Sequence, residues 1–80
     1  MMFLTDVVPS QSYRILHLAV TEDSVLGARL RQLGFVDGME FDCQAVAPLV
    51  KSPYLVRIRG LSIALARHEA ELIKVEKLSK

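Results

Sequence analysis

The sequence predicts a mainly β domain, a small barrel of about five strands with one inserted α-helix at about residues 22–33. Three observations point there. From Met39 to Ala47, apolar and polar residues alternate with the two-residue period of a half-buried strand. Leu26, Leu30 and Leu33 recur at the spacing of one helical face. Every break between such segments falls at a glycine, a proline or a charged cluster.

Leu4 to Ser10 reads as a short lead-in, with Pro9-Ser10 as a turn. Tyr13 to Val20 is a β-rich run whose register is ambiguous, because apolar residues fall on both of its faces. Thr21-Glu22-Asp23-Ser24 announces the helix, offering capping oxygens and acids to the positive end of its dipole. Gly34 ends the helix in a left-handed conformation that glycine adopts without steric cost, and Phe35 is placed to pack back on Leu30. Asp37-Gly38 turns the chain into the strand Met39 to Ala47, where Met39, Phe41, Cys43, Ala45 and Ala47 share the inward face. Pro48 to Pro53 is a loop, since proline cannot donate to a central ladder. Tyr54, Val56 and Ile58 then alternate with Leu55, Arg57 and Arg59, and Gly60-Leu61 permits a hairpin into Ser62 to Ala66, with Ile63 and Leu65 inward. Arg67 to Glu71 breaks the alternation as one helical turn, Ile73 and Val75 close the barrel, and Lys77 to Lys80 fray. A meander with one helical turn before the last strand is the pattern of an SH3-like barrel, which leaves no open sheet edge.

Eighty residues allow one domain, 1–80, with a thin core that uses most of its apolar residues. Hydrophobic residues make up 51% and charged residues 24%, a composition that folds. No apolar run approaches the length of a bilayer-spanning helix, and MMFLTDVVPS lacks the basic start of a signal peptide. With one cysteine, no internal disulfide forms, and the expected location is cytoplasmic. A formal net charge of +1 does not point to a phosphate-gripping domain.

The residues able to carry chemistry are few. Cys43 falls on an apolar strand face, where burial keeps a thiol neutral. His17 and His68 lack partners at ligand spacing, and His68, Glu69 and Glu71 read as a solvated turn, so no metal and no cofactor is expected. No nucleophile, base and oxyanion donor come together, and no glycine-rich phosphate cradle is present; the expectation is not an enzyme. Arg57 and Arg59 share an outward face and either touch nucleic-acid phosphates or pair with Glu40 and Asp42 across the sheet. The second reading is favoured, because base-stacking aromatics are missing from the stripe. Leu49, Val50 and Tyr54 flank a loop unusually apolar for its position, either folded over the barrel mouth or offered to a partner. Leu49, Val50, Tyr54, Arg57 and Arg59 are the candidate partner-binding residues.

An ordered series of motifs resembles the FeoA family. It runs through Leu4-x-Asp6-Val7-x-Pro9, Leu30-x-x-Leu33-Gly34-Phe35-x-x-Gly38, Ala47-Pro48-Leu49, Val56-Arg57-Ile58-Arg59-Gly60 and Ala66-Arg67-x-Glu69-Ala70-x-x-Ile73-x-Val75. The resemblance implies a small SH3-like cytoplasmic protein, encoded beside FeoB, the GTP-binding membrane transporter that imports ferrous iron. It implies an accessory or regulatory role through contact with that transporter, without catalysis and without an established iron site. Three positions depart from the family pattern: Asp37 where proline is common, Val50-Lys51-Ser52-Pro53 where Gly-Asp-Pro is common, and Ser10 where glycine is common. The alternative is a small-barrel nucleic-acid or transcription-regulatory domain, like the SH3-like domain ending DtxR-type repressors, although no helix-turn-helix precedes this one.

Overall fold

The computed structural model describes residues 1–47 and 52–78. Among these residues six strands form a single antiparallel sheet: β1 (Met2–Phe3), β2 (Ser12–Leu18), β3 (Glu40–Val46), β4 (Tyr54–Ile58), β5 (Leu61–Leu65) and β6 (Ile73–Lys77). Their order is β1-β6-β2-β3-β4-β5. Helix α1 (Val25–Gln32) lies between β2 and β3, and the one-turn helix α2 (Arg67–Ala70) between β5 and β6.

One sheet with one core must curl to bury its inner face, and this sheet does. Tyr13, Ile15, Phe41, Cys43, Val56, Ile58, Leu65, Ile73 and Val75 form a single cluster with Leu30 and Phe35 from α1 and its exit. Each fully buried Leu, Ile or Phe side chain contributes about 1.5–3 kcal/mol. Of the expected inward residues, Phe41, Cys43, Val56, Ile58, Leu65, Ile73 and Val75 are in the core, while Leu26, Leu33, Met39 and Ile63 are only partly buried against it. Tyr13 and Phe41, opposite each other on β2 and β3, stack with ring centroids 5.6 Å apart.

The barrel expected from the sequence is incomplete. Hydrogen-bond pairing runs from β1 to β5 and does not join those two strands. A 3₁₀ turn at Leu4–Asp6 follows β1, touches α2 and accepts a hydrogen bond from the Tyr54 hydroxyl at the Thr5 carbonyl, 3.2 Å. The segment expected to be a lead-in is thus structural. Met2 and Phe3 supply a sixth strand on β6, Leu4 is fully buried, and Asp6 caps the turn by accepting from the Phe3 N–H at 2.9 Å.

Two bulges explain the irregular sequence patterns. The β2–β6 register shifts between Ile15 and His17, so Leu16 is exposed and Leu18 returns to the core; hence the apolar residues on both faces of β2. The β3–β4 register shifts between Cys43 and Ala45, which turns Ala45 outward against the expected alternation.

Helix α1 starts three residues later than the sequence suggested. Ser24 is its N-cap, with Oγ accepting from the Gly27 N–H at 3.0 Å, and Glu22 and Asp23 precede the first turn instead of occupying it. Its end follows expectation. Phe35 N–H donates to the Leu30 carbonyl and Gly34 N–H to that of Arg31, each at 3.0 Å, with Gly34 at φ +109°. This is the paired-bond stop of a Schellman motif. The β4–β5 hairpin loop is Arg59-Gly60, one residue earlier than the expected Gly60-Leu61, and both residues have positive φ, +53° and +78°. That is a type I′ turn, whose twist matches the strands it joins.

Candidate partner-binding surface

The expected site residues that lie among the described residues do not form one patch. Tyr54 opens β4 and Arg59 lies in the loop after its far end, so about five residue steps, ~17 Å, separate them. Leu49 and Val50 lie outside the described residues. Tyr54 is a core residue, 1% exposed. Its hydroxyl pins the N-terminal turn, and burial pushes the phenol above its usual pKa. In this conformation it offers no side-chain surface to a partner.

Beside the start of that loop the sequence reading missed a cleft of about 350 Å³, lined by Thr5, Asp6, Val7, Val8, Pro9, Val46 and Ala47. Two neighbouring elements build it. The 3₁₀ turn sends Val7 into the core and leaves Val8 outside, 52% exposed, with its N–H donating to the Tyr13 hydroxyl at 3.0 Å. The end of β3 supplies the other wall, and Ala47 N–H donates to the Pro53 carbonyl at 3.3 Å across the base of the loop. Consecutive valines before a proline were the available signal, since adjacent residues in extended chain face opposite ways.

Arg57 and Arg59 are exposed, but they do not stand as a basic stripe. Arg57 sits opposite Asp42 in the β3–β4 register, and both arginines border a shallow cleft of about 260 Å³ with Ser12, Glu40 and Asp42. The acids are held in turn. Ser12 Oγ donates to Asp42 at 2.6 Å, and Arg14 bridges Glu40 and Glu76 at 3.3 and 3.0 Å, which raises the Arg14 pKa. Acids and arginines share this face, so it attracts no simple polyanion. Arg59 also lies over the end of α1. A Cβ on Gly34 would come within 2.9 Å of its Cδ.

The remaining reactive groups are apart. Cys43 is 2% exposed, and burial raises its thiol pKa, which suppresses the reactive thiolate. His17 and His68 are exposed on different elements, and among the described residues no three of His, Cys, Asp and Glu are grouped to hold a metal. The turn at Arg67–Glu71 is not fully solvated as expected. Glu69 is 6% exposed; one carboxylate oxygen accepts from the Ala66 N–H at 2.9 Å and the other from Arg29 of α1. No helix of the described residues is long and apolar enough to cross a membrane.

The model of the FeoA domain matches residues 2–77. The chain belongs to the FeoA family. It is similar to the iron(II) transport protein A of Clostridium thermocellum, with 38% identity and a TM-score of 0.87 over 96% of this chain and 46% of that one. It thus spans under half the length of that relative. It is also similar to the FeoA of Stenotrophomonas maltophilia, crystallised with zinc and described as an SH3 domain protein, with 28% identity and a TM-score of 0.81 over 95% of this chain and 91% of that one. The ScaR protein with bound zinc matches 98% of this chain and 37% of its own at a TM-score of 0.81, but at 20% identity, which shows the fold alone. No curated protein matches the chain.

Proposed function

We propose that this FeoA-family chain is a non-enzymatic accessory protein of ferrous iron uptake, acting in the cytoplasm by contact with a FeoB-type GTP-binding transporter. The family match over residues 2–77 carries the reading. The S. maltophilia relative, put forward as a ferrous iron transport activating factor, supports it. The contact surface fits a protein better than a substrate. Val8 is an exposed apolar anchor in a cleft lined by Val7, Val46 and Ala47, and Ala47 precedes Leu49 and Val50 in the chain by two and three residues. A small apolar contact of this kind gives micromolar affinity, about −8 kcal/mol.

Calorimetric titration of the chain into the cytoplasmic part of the transporter tests the proposal, with RNA and DNA titrated at two salt concentrations as controls. Transporter binding is expected to change little with salt and to weaken about tenfold or more in Val8→Asp, with Leu49→Asp and Val50→Asp in the same direction. Nucleic-acid binding that collapses with salt and is lost in Arg57→Ala/Arg59→Ala, with no transporter binding, would reverse the assignment.

A further inference from the structure

The open sheet leaves two edges of different character. β1 is two residues long, and the turn at Leu4–Asp6 follows it directly. β5 is five residues, Leu-Ser-Ile-Ala-Leu, without a charge, a proline or a register shift. Those are the devices by which natural edge strands avoid pairing with another chain. Leu61 is 59% exposed, and Ser62 and Ala64 are exposed as well. Among the described residues no backbone group outside the sheet bonds to Leu61–Leu65.

The hairpin fixes which backbone groups point outward. Ile58 and Leu61 flank a two-residue loop and therefore exchange hydrogen bonds with each other. Alternation then turns the N–H and C=O of Leu61, Ile63 and Leu65 toward β4, and those of Ser62 and Ala64 away from it. Two donors and two acceptors stand on the outer edge, placed symmetrically about Ile63.

We propose that β5 is a self-pairing edge: two copies of this chain join β5 to β5 antiparallel, about a two-fold axis at Ile63. In that register Ser62 of each copy exchanges both backbone bonds with Ala64 of the other, and Ile63 meets Ile63 as the close pair that is not hydrogen-bonded. Exposed Leu61 gains Leu65 of the second copy as its cross-strand neighbour. A second copy is the occupant that fits, because an uncharged strand places no like charges opposite each other and the two small residues, Ser62 and Ala64, face one another. Arg59 and Arg67 border the strand at its two ends, so the pairing brings like charges near its flanks and added salt strengthens it. One strand pair buries little area, and the dimer is a weak one. The inference is independent of any contact with a transporter.

Sedimentation velocity from about 10 µM to about 1 mM, combined with amide exchange, tests it. The expected result is a rise in mass toward two chains, with the Ser62 and Ala64 amides slowing several-fold as concentration rises. A mixed-label sample should show an intermolecular contact between Ile63 Hα atoms. Ser62→Pro removes an outward donor and leaves the β4 ladder bonded, and Ala64→Lys puts a charge on the edge; each should restore the monomer across this range. The second variant answers if the first fails to fold. A single-chain mass at the highest concentration, or a dimer that both variants leave intact, overturns the proposal.

Discussion

Ser10 holds φ +68°, a conformation that costs an L-residue roughly 1–2 kcal/mol, while its N–H donates to the Cys43 carbonyl at 2.9 Å. Glycine, the residue the family resemblance leads one to expect at this position, adopts that φ without steric cost. Ser10→Gly should stabilise the fold by about 0.5–1 kcal/mol once the greater freedom of glycine in the unfolded chain is subtracted. A melting temperature higher by a few degrees is the expected reading, and an unchanged or lower one would mean that Ser10 is unstrained. Gly34 makes the opposite case. At φ +109°, and with Arg59 Cδ 2.9 Å from where a Cβ would sit, Gly34→Val should cost about 1–2 kcal/mol or more, read as a lower denaturation midpoint. Cys43 gives a pH prediction. Burial raises its folded pKa above the unfolded value, so its contribution is intact below about pH 9 and is lost as pH rises through the folded value. Denaturant titrations should show stability falling on the alkaline side, and native protein should react slowly with a thiol reagent at pH values where an unfolded thiol reacts freely.

At the scale of elements, the buried carboxylate of Glu69 ties α1 to α2. It accepts from Ala66 at the start of α2 and from Arg29 on α1. Glu69→Ala leaves the Ala66 N–H without its cap and Arg29 without its partner, and should cost about 1–3 kcal/mol. Arg29→Ala should cost less, because that side chain is 55% exposed and its charge is largely screened by water. A double-mutant cycle in chemical denaturation reads the coupling; additivity would show that the two residues act separately. Sequence alone placed Glu69 in a solvated turn, because a charged residue in a charged cluster carries no local sign of burial. For Tyr54 the sequence left open whether it folds over the barrel mouth or is offered to a partner, because the Thr5 carbonyl that accepts from its hydroxyl lies about fifty residues earlier. What was legible was local chemistry, such as the Schellman stop at Gly34, the turn at Asp37-Gly38 and the period of Phe41 and Cys43. The bulge before Ala45 and the cleft beside Val8 depend on pairing across strands, which no period in one segment encodes.

For the whole molecule, the curled sheet keeps its apolar groups inside and presents separate faces outside. One holds the Val8 cleft, another the mixed acids and arginines, and the third is the bare edge of β5. The candidate surface was legible only in part. The apolar residues flank the start of β4, beside the proposed surface, whereas the arginines read as their neighbours belong to its opposite end. The central claim is protein contact through the cleft, and an NMR titration of labelled chain with the cytoplasmic part of a FeoB-type transporter tests it most directly. Saturable shifts concentrated on Val7, Val8, Val46 and Ala47, absent in Val8→Asp, are the predicted result. Titration to excess with no shift in those residues, or the same shifts produced by the Val8→Asp chain, would contradict it.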